Sequence, residues 1–172
     1  MITSYHRPPS LAHALELVSS SDSVILAGGT KLNASSPGES VAAVDLQALD
    51  LSGLRATESH IQVGAMTTLR DIMDADEVPS LLRDLARREA PNTIRNAATI
   101  GGTIVAGGGE SQLLTGLLAF GATVEIERQN GPIEISVNEL LDDPSVLAAA
   151  IITAVVIPTG GTAAAARTGR TP

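Results

Sequence analysis

Apolar and polar positions alternate so as to divide the chain into short helices and strands. Ser10 is a candidate cap for a helix in which Leu11, Ala14, Leu15 and Val18 share one face. Ser19 to Ser23 reads as a loop. Val24 to Ala27 is a short apolar run ended by Gly28-Gly29, and Val41 to Leu46 is a second; both predict strands. Ile61 and Val63 alternate with His60 and Gln62, so His60 to Gly64 is expected as a third strand. Thr67 or Thr68 is placed to cap a helix carrying Leu69, Ile72 and Met73. Leu81, Leu82, Leu85 and Ala86 mark the next helix, stopped by Pro91-Asn92.

Asn92 to Gly109 contains little that favours regular structure and includes Gly101, Gly102, Gly107, Gly108 and Gly109. A helix with Leu113, Leu114, Leu117 and Leu118 follows. Thr123 to Arg128 and Ile133 to Val137 predict a hairpin about Gln129-Asn130-Gly131, because Asn-Gly suits positive φ. Leu140 begins a short helical stretch, and Ile151 to Ile157 is the last strand, ended by Pro158. Residues 159–172, rich in Gly, Ala and Thr, read as a linker. Mixed helices and short strands predict an α+β fold with subdomains of about residues 1–57 and 58–158.

Composition narrows the function classes. A chain of 172 residues with 44% hydrophobic and 17% charged residues is globular and large enough to bury a core without metals or disulfides. Its net charge of −8 argues against nucleic acid or an anionic membrane surface as partner. Any bound phosphate must therefore be held by local dipoles. With no cysteine the chain holds neither a Cys-ligated iron–sulfur cluster nor a disulfide, and a cytoplasmic location is expected. The opening residues lack an apolar signal core, and the longest apolar run, Leu147 to Ile157, is too short to span a bilayer.

Two glycine loops invite a chemical reading. In Ile25-Leu26-Ala27-Gly28-Gly29-Thr30-Lys31-Leu32 a strand runs into paired glycines, a hydroxyl and a cation. Such a loop can aim successive backbone N–H groups into one concavity and hold an anion. Ala98-Thr99-Ile100-Gly101-Gly102-Thr103-Ile104 repeats the pattern. Together the loops can close on the two phosphates of a dinucleotide from opposite sides. Each loop alone more often reads as a tight turn, and neither matches the G-x-G-x-x-G fingerprint or the P-loop. Elsewhere the residues read as structural. Tyr5 reads either as packing of the N-terminal arm, the more frequent case, or as a neighbour of a bound cofactor, and the three histidines show no metal spacing. Asp45, Asp50 and the Asp142-Asp143 pair read as turn residues, and Arg87-Arg88-Glu89 reads as a solvated helix face or, less often, a partner contact. Arg95 either braces the second loop or pairs with a carboxylate.

The runs Ala27-Gly28-Gly29-Thr30, Gly64-Ala65-Met66-Thr67-Thr68-Leu69 and Ile94-Arg95-Asn96-Ala97-Ala98-Thr99-Ile100-Gly101-Gly102 occur in that order. In this they resemble the FAD-binding medium subunit of molybdenum hydroxylases, the carbon monoxide dehydrogenase and xanthine dehydrogenase family. Tyr5 to Leu11 and Leu117 to Ala122 also fit, so the resemblance covers essentially the whole chain. It implies a two-subdomain FAD-binding fold with FAD between a small N-terminal α/β part and a larger α+β part. The backbone amides and hydroxyls of Ile25, Leu26, Ala27, Gly28, Gly29, Thr30, Lys31 and Leu32, and of Thr99, Ile100, Gly101, Gly102 and Thr103, would hold the pyrophosphate. Gln112 would reach the ribose, and Ile152 would lie near the flavin ring. The resemblance further implies an oxidoreductase subunit that passes electrons from iron–sulfur clusters in a partner chain to an external acceptor. Its partners would be a molybdenum-containing large subunit and an iron–sulfur small subunit carrying [2Fe-2S] clusters.

Three departures from the family pattern stand out. Thr103 occupies a position usually held by Asn, Gln112 one commonly held by Asp, and the C-terminal domain that helps cover the flavin is lacking. These leave FAD less enclosed, lidded by another chain, or absent. An alternative is therefore a cofactor-free structural or assembly module of such a complex. A general nucleotide-binding module unrelated to molybdenum enzymes is a third reading, which would bind ADP-ribose or NAD in isolation.

Overall fold

The computed structural model describes residues 2–20, 22–31, 41–161 and 164. Its first part is a parallel sheet of β1 (Ile2–His6), β2 (Ser23–Leu26) and β3 (Val41–Asp45) in the order β1-β3-β2. The helix α1 (Leu11–Val18) connects β1 to β2, and the Ser10 side chain accepts from the amide of His13 at its start. Ala14, Leu15 and Val18 of α1 are buried with Val44, Leu46 and Leu49 in a small core. Met66 and Ile151, from the second part of the chain, complete that core and tie the two parts together.

The second part is an antiparallel sheet in the order β4-β5-β8-β6-β7. Its strands are β4 (Leu54–Ala56), β5 (His60–Gly64), β6 (Thr123–Arg128), β7 (Ile133–Ser136) and β8 (Ala150–Pro158). Six helices join them: α2 (Leu69–Asp74), α3 (Ser80–Glu89), α4 (Asn92–Arg95), α5 (Ile100–Ala106), α6 (Gln112–Ala119) and α7 (Val137–Asp142). The central strand β8 is buried on both faces. Ile151 points into the small core, and Ile152 into the main core with Ile61, Leu82, Ile104 and Leu117. The pairing of β6 with β8 shifts between Glu125 and Ile126, so Thr153 is left over as a bulge.

Several expectations need correction. β1 and β4 were not legible as strands, and β4 pairs with β5 in the second sheet. The segment expected to lack regular structure contains α4 and α5. Of the two candidate caps of α2, Thr68 is the one used, in a capping box with Asp71. Ser136 and Glu139 form a second capping box, so α7 begins at Val137, ahead of Leu140. Most of the expected linker, 159–172, lies outside the described residues. Among the described residues no helix is long and apolar enough to cross a membrane.

Candidate functional site

Because β1, β2 and β3 are mutually parallel, their carboxyl ends share one edge. The residues just past those ends line a cavity of about 380 Å³: Arg7 after β1, Ala27 and Gly28 after β2, Gln47 and Leu49 after β3. The second part closes it from the other side with Asn96, Ala97 and Thr99, and with Met66 and Thr68. Carboxyl ends of parallel strands are where open α/β sheets bind ligands, since the loops there can diverge around a guest. The volume lies within the range of small-molecule pockets.

The two glycine loops meet at this cavity. A Cβ added to Gly28 would stand 1.8 Å from the carbonyl oxygen of Ala97, so only glycine permits the approach. A Cβ on Gly102 would lie 4.0 Å from that of Ala27. Gly29 has φ +70°, which turns the chain back after β2. Among the described residues, no hydrogen bond within the protein takes up the amides of Gly28, Gly29 or Thr30. Lys31 follows them, and Leu32 lies outside the described residues.

The second loop is organised differently from the expectation. Thr99 is the N-cap of α5, and the first-turn donors of that helix are already satisfied. The amide of Ile100 donates to Thr67 O at 3.0 Å, and that of Gly101 to Ala65 O at 2.9 Å. The amide of Gly102 donates to Thr99 Oγ1 at 3.1 Å. Thr103 donates its amide to Thr99 O at 2.8 Å and its hydroxyl to the same oxygen at 2.9 Å. The amides of Ile100, Gly101, Gly102 and Thr103 are thus engaged within the protein, and those of Ile100 and Gly101 hold the helix start against the 65–67 turn. Gly101 itself is a packing requirement, since a Cβ there would stand 2.9 Å from Ala65 O. Thr99, buried, remains at the cavity wall.

Ile25 and Leu26 lie in β2 and deliver the first loop to the cavity. Gln112 is the first residue of α6, whose cap is Ser111, and it does not line the cavity. Ile152 is buried in the main core, and it too is absent from the lining. Its neighbours Thr153 and Ala154 line a second cavity of about 230 Å³, which shares Ser52 with the first. There Gln62 Nε2 donates to both carboxylate oxygens of Glu125 at 2.8 Å.

Residues read as structural support the site from behind. Asp45, buried at the end of β3, accepts from the Gln47 amide at 2.8 Å and from the Tyr5 hydroxyl. It thereby fixes the turn that carries Gln47 and Leu49. That hydrogen bond raises the Tyr5 pKa above its ordinary value, with burial and the Asp45 charge acting in the same sense and Arg7 opposing. Arg95 Nη1 donates to Arg87 O at 2.7 Å and to Ala90 O at 2.5 Å, so it braces the end of α3 instead of pairing with a carboxylate. Glu89 accepts from the Leu113 amide at 2.8 Å and ties α3 to α6, which the reading of 87–89 as a solvated face did not foresee. Arg7, Gln47 and Asn96 also went unread as site residues; their only signal is a position just past a strand or helix end.

The comparisons with known proteins agree with this architecture. The family model described as FAD binding domain in molybdopterin dehydrogenase matches residues 1–160. The uncharacterized protein YgfM of Escherichia coli K12 is 38% identical over 125 residues, covering 71% of this chain and 48% of that protein. The nicotine 6-hydroxylase medium subunit of Paenarthrobacter nicotinovorans is 31% identical over 165 residues, covering 90% of this chain and 58% of that subunit. A solved carbon monoxide dehydrogenase from Hydrogenophaga pseudoflava superposes with a TM-score of 0.82 at 25% identity, over 92% of this chain and 59% of the matched one. The chain thus spans about half the length of the relatives it matches.

Proposed function

The chain belongs to the family of FAD-binding domains of molybdopterin dehydrogenases, and from that membership we propose that it carries the flavin in the medium subunit of a heteromeric molybdenum hydroxylase. In this reading it takes electrons from iron–sulfur clusters of a partner chain and hands them to an external acceptor. A molybdenum-containing large subunit and an iron–sulfur small subunit are the proposed partners, in keeping with a chain that has no cysteine of its own.

The observation that carries the reading is that, among the described residues, no hydrogen bond within the protein takes up the amides of Gly28, Gly29 and Thr30, and that Gly28 lines a cavity walled by Thr99 and Ala97. These residues fit a diphosphate: amide donors to charged oxygens are strong, and glycine lets the chain approach the ligand closely. FAD, when bound, supplies the redox chemistry that links one-electron carriers to a two-electron acceptor. The chain's own work is to bind and orient. Gly28, Gly29 and Thr30 donate to the diphosphate, Ile25, Leu26 and Ala27 anchor that loop, and Lys31 and Leu32 follow it in sequence. Thr99 offers its hydroxyl, while Ile100, Gly101, Gly102 and Thr103 shape the wall. Gln112 as a ribose contact and Ile152 as a neighbour of the flavin ring rest on the family resemblance alone.

The deciding experiment is a visible absorption spectrum of the protein purified with the chains that accompany it, followed by heat release of the cofactor. Flavin bands and released FAD are expected. The rival reading, a cofactor-free assembly module, draws on the committed amides of Ile100 to Thr103. It requires a complex that oxidises substrate with an artificial acceptor yet contains no flavin, and that result would overturn the proposal.

A further inference from the structure

Resting on that reading, we propose that Arg7 is the cationic partner of the bound diphosphate, a role that the glycine loops leave open. The cavity joins Arg7 to Ala27, Gly28, Gln47, Asn96 and Thr99, and among the described residues Arg7 is the one charged side chain in its lining. The rest of the wall offers neutral dipoles. The molecule as a whole carries −8, which repels a dianionic group. Neutral amides alone must then work against the protein's own field, and a cation in the cavity wall offsets it locally.

The fold holds this position firmly. His6 pairs with Val44 at the end of β1, and the buried Pro8 follows, so the backbone on both sides of Arg7 is fixed. Among the described residues Arg7 enters no salt bridge, so its guanidinium is available to a ligand. Lys31, the cation within the first loop, does not line the cavity. A guanidinium also matches phosphate geometry through paired N–H donors, which an ammonium does not.

The test is a titration of the chain with FAD, read by quenching of flavin fluorescence, for wild type, Arg7→Gln and Arg7→Lys at low and high salt. Arg7→Gln is expected to weaken FAD binding about 10-fold at low salt, corresponding to one charge-assisted contact at an exposed site. The loss should shrink at high salt, where the ion pair is screened, and Arg7→Lys should fall between the other two. Equal affinity of Arg7→Gln and wild type overturns the assignment while leaving the flavin function intact. A loss of the same size at every salt concentration also overturns it, since that marks a structural role. If the wild-type chain itself takes up no FAD, the functional reading falls and this inference falls with it.

Discussion

Gly28 and Ala97 are in backbone contact: a single methyl on Gly28 would stand 1.8 Å from the Ala97 carbonyl oxygen. This contact joins the loop after β2 to the residues just before α5, and so joins the two sheets at the cavity. No rotamer change relieves such an overlap, because both partners are backbone. The loops themselves have to separate.

Gly28→Ala is therefore expected to cost about 1–3 kcal/mol, the range for overpacking a tight site. For a chain of this size each kcal/mol corresponds to roughly 2–4 °C in melting temperature. FAD affinity should fall as well, because the uncommitted amides move with the loop. Thermal melts and FAD titration of the purified variant check both effects; a variant matching wild type in the two measurements would falsify the contact.

The second loop yields a separable prediction. Thr99 is buried and its hydroxyl accepts from the Gly102 amide at the start of α5. Thr99→Val keeps the shape and removes the acceptor, with an expected cost of about 1 kcal/mol. Thr99→Ser keeps the cap and should retain most of the stability. Equal melting temperatures for the Val and Ser variants would rule out a capping role for this hydroxyl.

That pair of residues also marks the limit of what the sequence discloses. The face of α1 and the alternation in β5 are local periodicities, and both elements appear where the apolar positions put them. β1 is exposed along most of its length and β4 has three residues, so neither carries a period to detect. The glycine-rich start of α5 reads as loop because what stabilises it is tertiary: the carbonyls of Ala65 and Thr67 accept its first donors. The same holds at the site. Gly28-Gly29 announces itself by type and spacing. Arg7 and Gln47 become site residues only when three parallel strands end on one edge.

Tyr5, the single tyrosine in a chain without tryptophan, gives a direct optical probe of its bond to Asp45. Its pKa is raised above the ordinary 10.0, chiefly by that hydrogen bond. The associated stabilisation is therefore fully present below the ordinary tyrosine range and is lost as pH rises through the folded-state value. Tyrosinate absorbance should appear at higher pH in the folded protein than in the denatured chain. Asp45→Asn should bring the two titrations closer together, and an unaltered titration in that variant would exclude Asp45 as the cause.

Glu139 reports the opposite sign at the opposite end of the pH scale. The Ser136 amide donates to its carboxylate at 2.8 Å and the Ser136 hydroxyl does so at 2.8 Å, completing the capping box of α7. These bonds, the backbone one first, lower its pKa below the ordinary 4.5. A lowered folded-state pKa contributes stability that is present above the ordinary value and disappears as pH falls through the folded one. Glu139→Gln keeps an acceptor but cannot titrate, so the acid limb of its stability curve should be flatter than that of wild type. Melting temperatures measured from neutral pH down into the carboxylate range test this. Parallel curves for the two proteins would mean that the Ser136–Glu139 cap contributes nothing to the acid sensitivity of the fold.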